Sequence, residues 1–408
     1  MEATLMAFAT DFIDEGVGQV VDRMASTPGI TGATLAVAYH HGRDIFPHNP
    51  RRKVVFLDGG SVFFRPVLSN YLNTPIKPYP SGLVASEDVF AKLIQAMEAR
   101  SLNTQAWIVY LHNSRLGSQH PDQAPRNAYG DPYLTNLCPA NPHVVEFAAA
   151  LTRDVARYQP SRILAESLHH HPLEHGYHHE RYLLELDVID RFLLGLCFCE
   201  WCLRAADQHG VDGRGVHRFV REYLDRVFAG EERPGQQSEL EISDVAEMAS
   251  GEMAGFITAR ASSVTHLVQV VANAAGNVPV SFIDPSGAAK GYADGHPVGG
   301  PAAGIAWLQG IDLFAISRLI ELQAIGYAAD PRRLDSDLAA YAETVDGPGM
   351  SLVLRPMAPD CDSVVNLTAK IELARARAIR RIDFYHYGLM QLTALDRVGQ
   401  AFVAAQTT

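Results

Sequence analysis

"RILAESLH", residues 162–169, is a short aliphatic run that stops on a carboxylate and an imidazole. It is too short for a helix and does not alternate apolar with polar residues. That combination reads as a strand buried on both faces, as in a parallel sheet covered by helices. Working outward, the same kind of run recurs: "TLMAFATDF" (4–12), "ATLAVAYHH" (33–41) and "TQAWIVYLH" (104–112) precede it. "VPVSFIDP" (278–285), "IDLFAISR" (311–318), "MSLVLRPM" (350–357) and "RIDFYHY" (381–387) follow it. Between them lie stretches of helical periodicity such as "EDVFAKLIQAMEAR" (87–100), "VVEFAAALTRDVARY" (144–158) and "AKIELARARAIRR" (369–381).

Eight strands alternating with helices predict one (β/α)8 TIM barrel of the α/β class over residues 1–408, in preference to an open doubly wound sheet. The paired glycines of "GGSVFFRP" and "GGPAAG" lie outside a strand-turn-helix fingerprint and read as turns. Two insertions are expected. One, at about 50–82, is a hairpin with "KVVFLDGG" and "SVFFRP" as its arms; the other, at about 197–275, is mostly helical decoration and includes the polar "AGEERPGQQSE".

Charge narrows the partners. Lys and Arg number 34 against 46 Asp and Glu, a net charge of -12, so no basic field is available for nucleic acid or anionic lipid. The opening "MEATLMAFATDFIDEG" is acidic where a secretory leader is basic, and no apolar run reaches the roughly 18 residues of a membrane span. A soluble cytoplasmic protein without a membrane partner is expected; a homo-oligomer is left open.

A parallel barrel carries its chemistry at the C-terminal ends of its strands. The residues placed there are Asp11, His40 with His41, His112 with Asn113, Glu166 with His169, Asp284, Ser317 with Arg318, Arg355, and Tyr385, His386 and Tyr387. Together they predict a polar pocket above an aliphatic barrel core. Each also has a structural reading: Asp11 and Asp284 as helix caps, Arg355 as an ion-pair partner, a lone histidine as a hydrogen-bonded core group. Glu166 stands apart, because a carboxylate beside buried aliphatics must be hydrogen-bonded or have a raised pKa. In "LHHHPLEHGYHHE", His175 and His179 are four apart, but Gly176 replaces the inner Glu of a zinc-protease helix. A loop lining a polar cleft explains the histidines better than a metal does.

The run "LCFCEWC" holds Cys197, Cys199 and Cys202, and Cys138 in "NLCPANP" supplies a fourth thiolate from the loop after the third strand. In a reducing compartment such a cluster reads as metal-binding, and four thiolates with no open position make a structural zinc site. Cys361, in the loop after the seventh strand, is expected outside it.

With the cysteine in "LCPANPHVVEFAAALTRDVARY", the acid in "ILAESL" and the "CFCEWC" run, residues 136–205 resemble the family 42 glycoside hydrolases, microbial β-galactosidases. The resemblance implies a zinc held by the four cysteines near the active-site mouth and Glu166 as general acid/base. Two positions depart from the family's pattern: Ala165 stands where it has Asn, and "LVLRPM" offers Arg355 where it has a nucleophilic Glu. The expected function is therefore glycoside hydrolysis, with Glu166 as acid and Asp284, Asp360 or Asp362 as second carboxylate. Asp11, His40, His112, Asn113, His169, Arg355, Tyr385 and His386 are expected to bind the small carbohydrate substrate, with Arg355 its anionic anchor. A metal-dependent sugar isomerase or epimerase using Glu166, Asp284 and a histidine is the alternative, as is a non-catalytic sugar-binding barrel.

Overall fold

The computed structural model describes residues 1–174, 181–231, 239–291, 293–347 and 349–406. Eight parallel strands form the barrel: β1 (Glu2–Ala7), β2 (Gly32–Tyr39), β3 (Asn103–Val109), β4 (Arg162–Glu166), β5 (Val280–Asp284), β6 (Glu321–Ile325), β7 (Met350–Leu354) and β8 (Arg381–Phe384). β1 pairs with both β2 (Thr4 opposite Gly32) and β8 (Thr4 opposite Asp383), which closes the cylinder. The apolar runs form strands because helices cover them: Leu5, Leu35, Ile108, Ile163, Phe282, Leu322, Leu352 and Ile382 all belong to the core between strands and helix layer.

One strand differs from expectation. β6 is "ELQAI", not "IDLFAISR"; Leu313–Ser317 is a short helix whose N-cap, Asp312, accepts a hydrogen bond from Ala315 N at 2.9 Å. Ser317 hydrogen-bonds around Asp346, and Arg318 stacks on Phe314, so both precede β6 rather than ending it. The physical reason lies inside the barrel, where the lower layer is polar, not aliphatic. There Arg381 pairs with Glu321 (2.8 Å) and Asp383 (3.1 Å), Ser281 and Ser351 donate to Glu321, and Gln323 and Thr4 donate to Asp383. The inward residues of β6 belong to this network and remove its apolar signature. Above it lie Met6, Ala36, Trp107, Leu164, Ile283 and Val353.

Other boundaries shift at the strand ends. β1 stops at Ala7, and Asp11 sits in the helix Ala9–Glu15, where its carboxylate accepts from Phe8 N at 2.8 Å. After β2 a hairpin does form, but with different arms: Val54–Leu57 pairs with Gly42–Ile45, while Ser61–Val62 adds antiparallel to β2 itself. Between β4 and β5 the helices Val188–Gly195, Glu200–Gln208, Gly213–Phe228 and Glu252–Ala274 build a satellite core around Phe192, Phe198, Val220 and Phe256. Among the described residues no helix is long and apolar enough to cross a membrane.

Candidate active site and thiolate centre

β4 ends on Glu166, whose carboxyl group is enclosed although the residue keeps some exposure toward the barrel mouth. Trp107 on the neighbouring β3 donates its indole N–H to Glu166 Oε2 at 2.6 Å. Burial pushes the Glu166 pKa up from 4.5 to about 7 against the opposing pull of that hydrogen bond. Among the described residues no cation pairs with it.

Aromatic groups surround this carboxyl. Phe8 stands 4.9 Å from Tyr39, 6.3 Å from Trp107 and 4.0 Å from His386, centroid to centroid. The phenols of Tyr39 and Tyr385 lie within electrostatic reach of each other, and burial raises the Tyr39 phenol well above its ordinary value. His386 is fully buried; its Nδ1 accepts from Gly388 N at 3.2 Å, and burial lowers its pKa to about 3, so the ring is neutral. Its Nε2 is buried with no hydrogen-bond partner among the described residues. Beside the aromatics, the rings of His40, His112, His171 and His169 follow one another at 4.7, 5.3 and 4.5 Å. The structure thus brings together Glu166, His40, His112, His169, Tyr385 and His386; His175 and His179 lie outside the described residues.

Other expected site residues are occupied elsewhere. Asp284 follows inward-facing Ile283 and so turns outward, where Ser286 Oγ (2.7 Å) and Tyr341 hydroxyl donate to it. Asn113 caps the helix Ser114–Gln119 by accepting from Leu116 N at 2.9 Å. Asp360 is clamped by Arg355 through Nε and Nη2 at 2.6 and 2.7 Å. Arg355 stacks on Tyr327 at 4.0 Å, so it does lie among the mouth aromatics, but Asp360 fills the fork expected to anchor an anionic substrate. Asp362 is exposed and accepts from Ser363 Oγ. With Asp284 outside the barrel, Glu166 and Asp284 do not converge on a common metal, as the isomerase reading requires.

Sequence reasoning missed Trp107, Tyr39 and Phe8. One signal existed for Trp107: a tryptophan in a buried strand needs an acceptor for its N–H, and "WIVYLH" runs beside "LAES" in a parallel pair.

A second centre lies behind the mouth. Cys138 Sγ is 4.0, 3.5 and 3.6 Å from the sulfurs of Cys197, Cys199 and Cys202, and all four sulfurs lie within 4.8 Å of one another. These separations are far beyond the ~2.05 Å of a disulfide. They bracket the roughly 3.8 Å edge of a tetrahedron with ~2.3 Å metal–sulfur bonds. Arg260 is buried nearby, within electrostatic reach of Cys138, Cys197 and Cys202, and its Nε and Nη1 have no hydrogen-bond partner among the described residues. A buried cation with idle donors beside four thiols fits a tetrathiolate metal centre, whose net negative charge it offsets. Cys361 lies apart, its thiol donating to Ser363 O at 3.4 Å.

No family model matches the chain, and no curated protein matches it in sequence. Solved structures do share its fold. α-L-Fucosidase isoenzyme 2 from Paenibacillus thiaminolyticus aligns at TM-score 0.54 and 10% identity, over 99% of this chain and 49% of that one. The β-galactosidase from the psychrophilic Marinomonas ef1 aligns at 0.54 and 10% identity, over 100% and 59%. The catalytic domain of the β-amylase from Paenibacillus polymyxa aligns at 0.50 and 11% identity, over 100% and 98%. The chain therefore spans about half of the fucosidase and three-fifths of the galactosidase. At these identities the likeness is one of fold alone: a closed parallel (β/α)8 barrel.

Proposed function

We propose that this chain cleaves a glycosidic bond in a carbohydrate, with Glu166 as the general acid. One observation carries the reading: a carboxyl at the C-terminal end of β4, among aromatic side chains, with its pKa raised to about 7 by burial. Such a group holds a proton near neutrality and can give it to a departing sugar oxygen. Trp107 occupies Oε2, which leaves Oε1 as the atom that carries the transferable proton. The half-buried Tyr385 supplies an apolar face against which the C–H surface of a pyranose packs, and the imidazole row supplies polar contacts for its hydroxyls. The thiolate centre, bound by Cys138, Cys197, Cys199 and Cys202, would hold a structural zinc that ties the loop after β3 to the helical insertion after β4.

Glu166→Gln keeps size and the Trp107 contact while removing the proton. Its rate on aryl glycosides with a poor leaving group should fall by about 10² to 10⁴, with a smaller loss on an activated one. Unchanged activity of a folded variant on the poor substrate contradicts the assignment. Metal analysis of protein purified without added zinc should find about one zinc per chain; metal-free protein with all four thiols reduced contradicts the zinc site.

A further inference from the structure

The carboxylates expected to partner Glu166 are turned outward, clamped or exposed, yet an unexpected acid faces the mouth. In the hairpin after β2, Asp44 stands opposite Val55 and Gly42 opposite Leu57. Opposed residues of an antiparallel pair share a face. Val55 and Leu57 are buried in the cluster that contains Phe8, Tyr39, Phe46 and Trp107, whereas Ile45, Val54 and Phe56 point to solvent. Asp44 is therefore on the face of the hairpin that covers the mouth. It is half-buried, and among the described residues its carboxylate has no hydrogen bond or ion pair. Leaving a carboxylate so placed without a partner costs stability, which structural need does not explain. The Tyr39 phenol lies within electrostatic reach of both Asp44 and Glu166, which sets the two acids around one aromatic group.

We infer that Asp44 is the second carboxylate of the site, the general base that activates a water opposite Glu166. This rests on the glycosidase reading above. In the step, the water oxygen bonds to the anomeric carbon as that carbon's bond to the leaving oxygen breaks. The Glu166 proton passes to the leaving oxygen, and a water proton passes to Asp44. Glu166 ends as carboxylate and Asp44 as acid, and exchange with solvent restores both. Direct displacement by water inverts the anomeric centre. Burial raises the Asp44 pKa from 3.8; as the base, Asp44 must lose its proton at a lower pH than Glu166.

The test uses the full chain with 4-nitrophenyl and 2,4-dinitrophenyl glycosides of the common hexoses. Proton NMR of the wild-type reaction should show the inverted anomer as first product. Asp44→Asn, checked for wild-type melting, should lose about 10² to 10⁴ in kcat on both leaving groups, because water attack needs the base whatever departs. Azide should restore turnover of Asp44→Gly and give the inverted glycosyl azide. A retained anomer from the wild type, or wild-type rates in folded Asp44→Asn, overturns the role of Asp44 while leaving Glu166 in place. If the wild type cleaves none of these glycosides, the glycosidase reading itself falls and takes the inference with it.

Discussion

The two ends of the barrel interior treat charge in opposite ways. At the lower end, Arg381 is ion-paired to both Glu321 and Asp383, and Ser281, Ser351, Thr4 and Gln323 add hydrogen bonds to the two acids. At the upper end, Glu166 has an indole donor and Asp44 has no partner among the described residues. Buried charge that is fully paired fixes a structure, whereas buried charge left underpaired has its protonation set by the site and is available for chemistry. The difference separates scaffold from site more sharply than residue type does, since each end holds one Glu and one Asp.

The most damaging way to break this comparison is to unpair the lower end. Arg381→Ala leaves Glu321 and Asp383 buried without their cation, and urea unfolding should show a loss of about 3 to 5 kcal/mol, the usual cost of breaking a buried pair from one side. A loss below about 1 kcal/mol contradicts the view of this layer as a charge-balanced plug.

A smaller change of opposite sign is expected at the upper end. Glu166 has a raised pKa in the folded chain, so the folded state keeps its proton while the unfolded state releases it as pH rises above 4.5. Stability from this group is therefore intact at pH 4, falls as pH rises from about 4.5 to about 7, and stays low above that. At about 1.4 kcal/mol for each pH unit, the penalty reaches about 3 kcal/mol. Glu166→Gln should accordingly be more stable than wild type at pH 8 by up to about 3 kcal/mol and match it at pH 4. Equal stability at both pH values contradicts the burial of the acid.

The same contrast explains what could be read from the sequence. Seven strands were legible because their apolar runs face a helix layer; β6 was hidden because Glu321 and Gln323 serve the polar plug. Cys197, Cys199 and Cys202 were legible because their spacing is a local pattern, Cys138 because it sits in the loop after the adjacent strand, and the structure gathers all four sulfurs. At the mouth, sequence position gave Glu166 its place but did not tell a mouth residue from a cap. Asp11 and Asn113 follow strands and Asp284 ends one, and all three accept hydrogen bonds from backbone N–H groups at the start of the next helix. Asp and Asn suit that position as well as they suit a site. Asp44 was missed for the converse reason: it lies in an insertion, and only the hairpin register shows which face it occupies.

General acid catalysis by Glu166 requires a protonated carboxyl near neutrality. Carboxyl-selective ¹³C NMR, or infrared difference spectroscopy, of the folded wild type against Glu166→Gln reads that titration directly. One carboxyl should titrate at about 7 in the wild type and be absent from the variant. A Glu166 signal titrating in the ordinary range near 4.5 contradicts it.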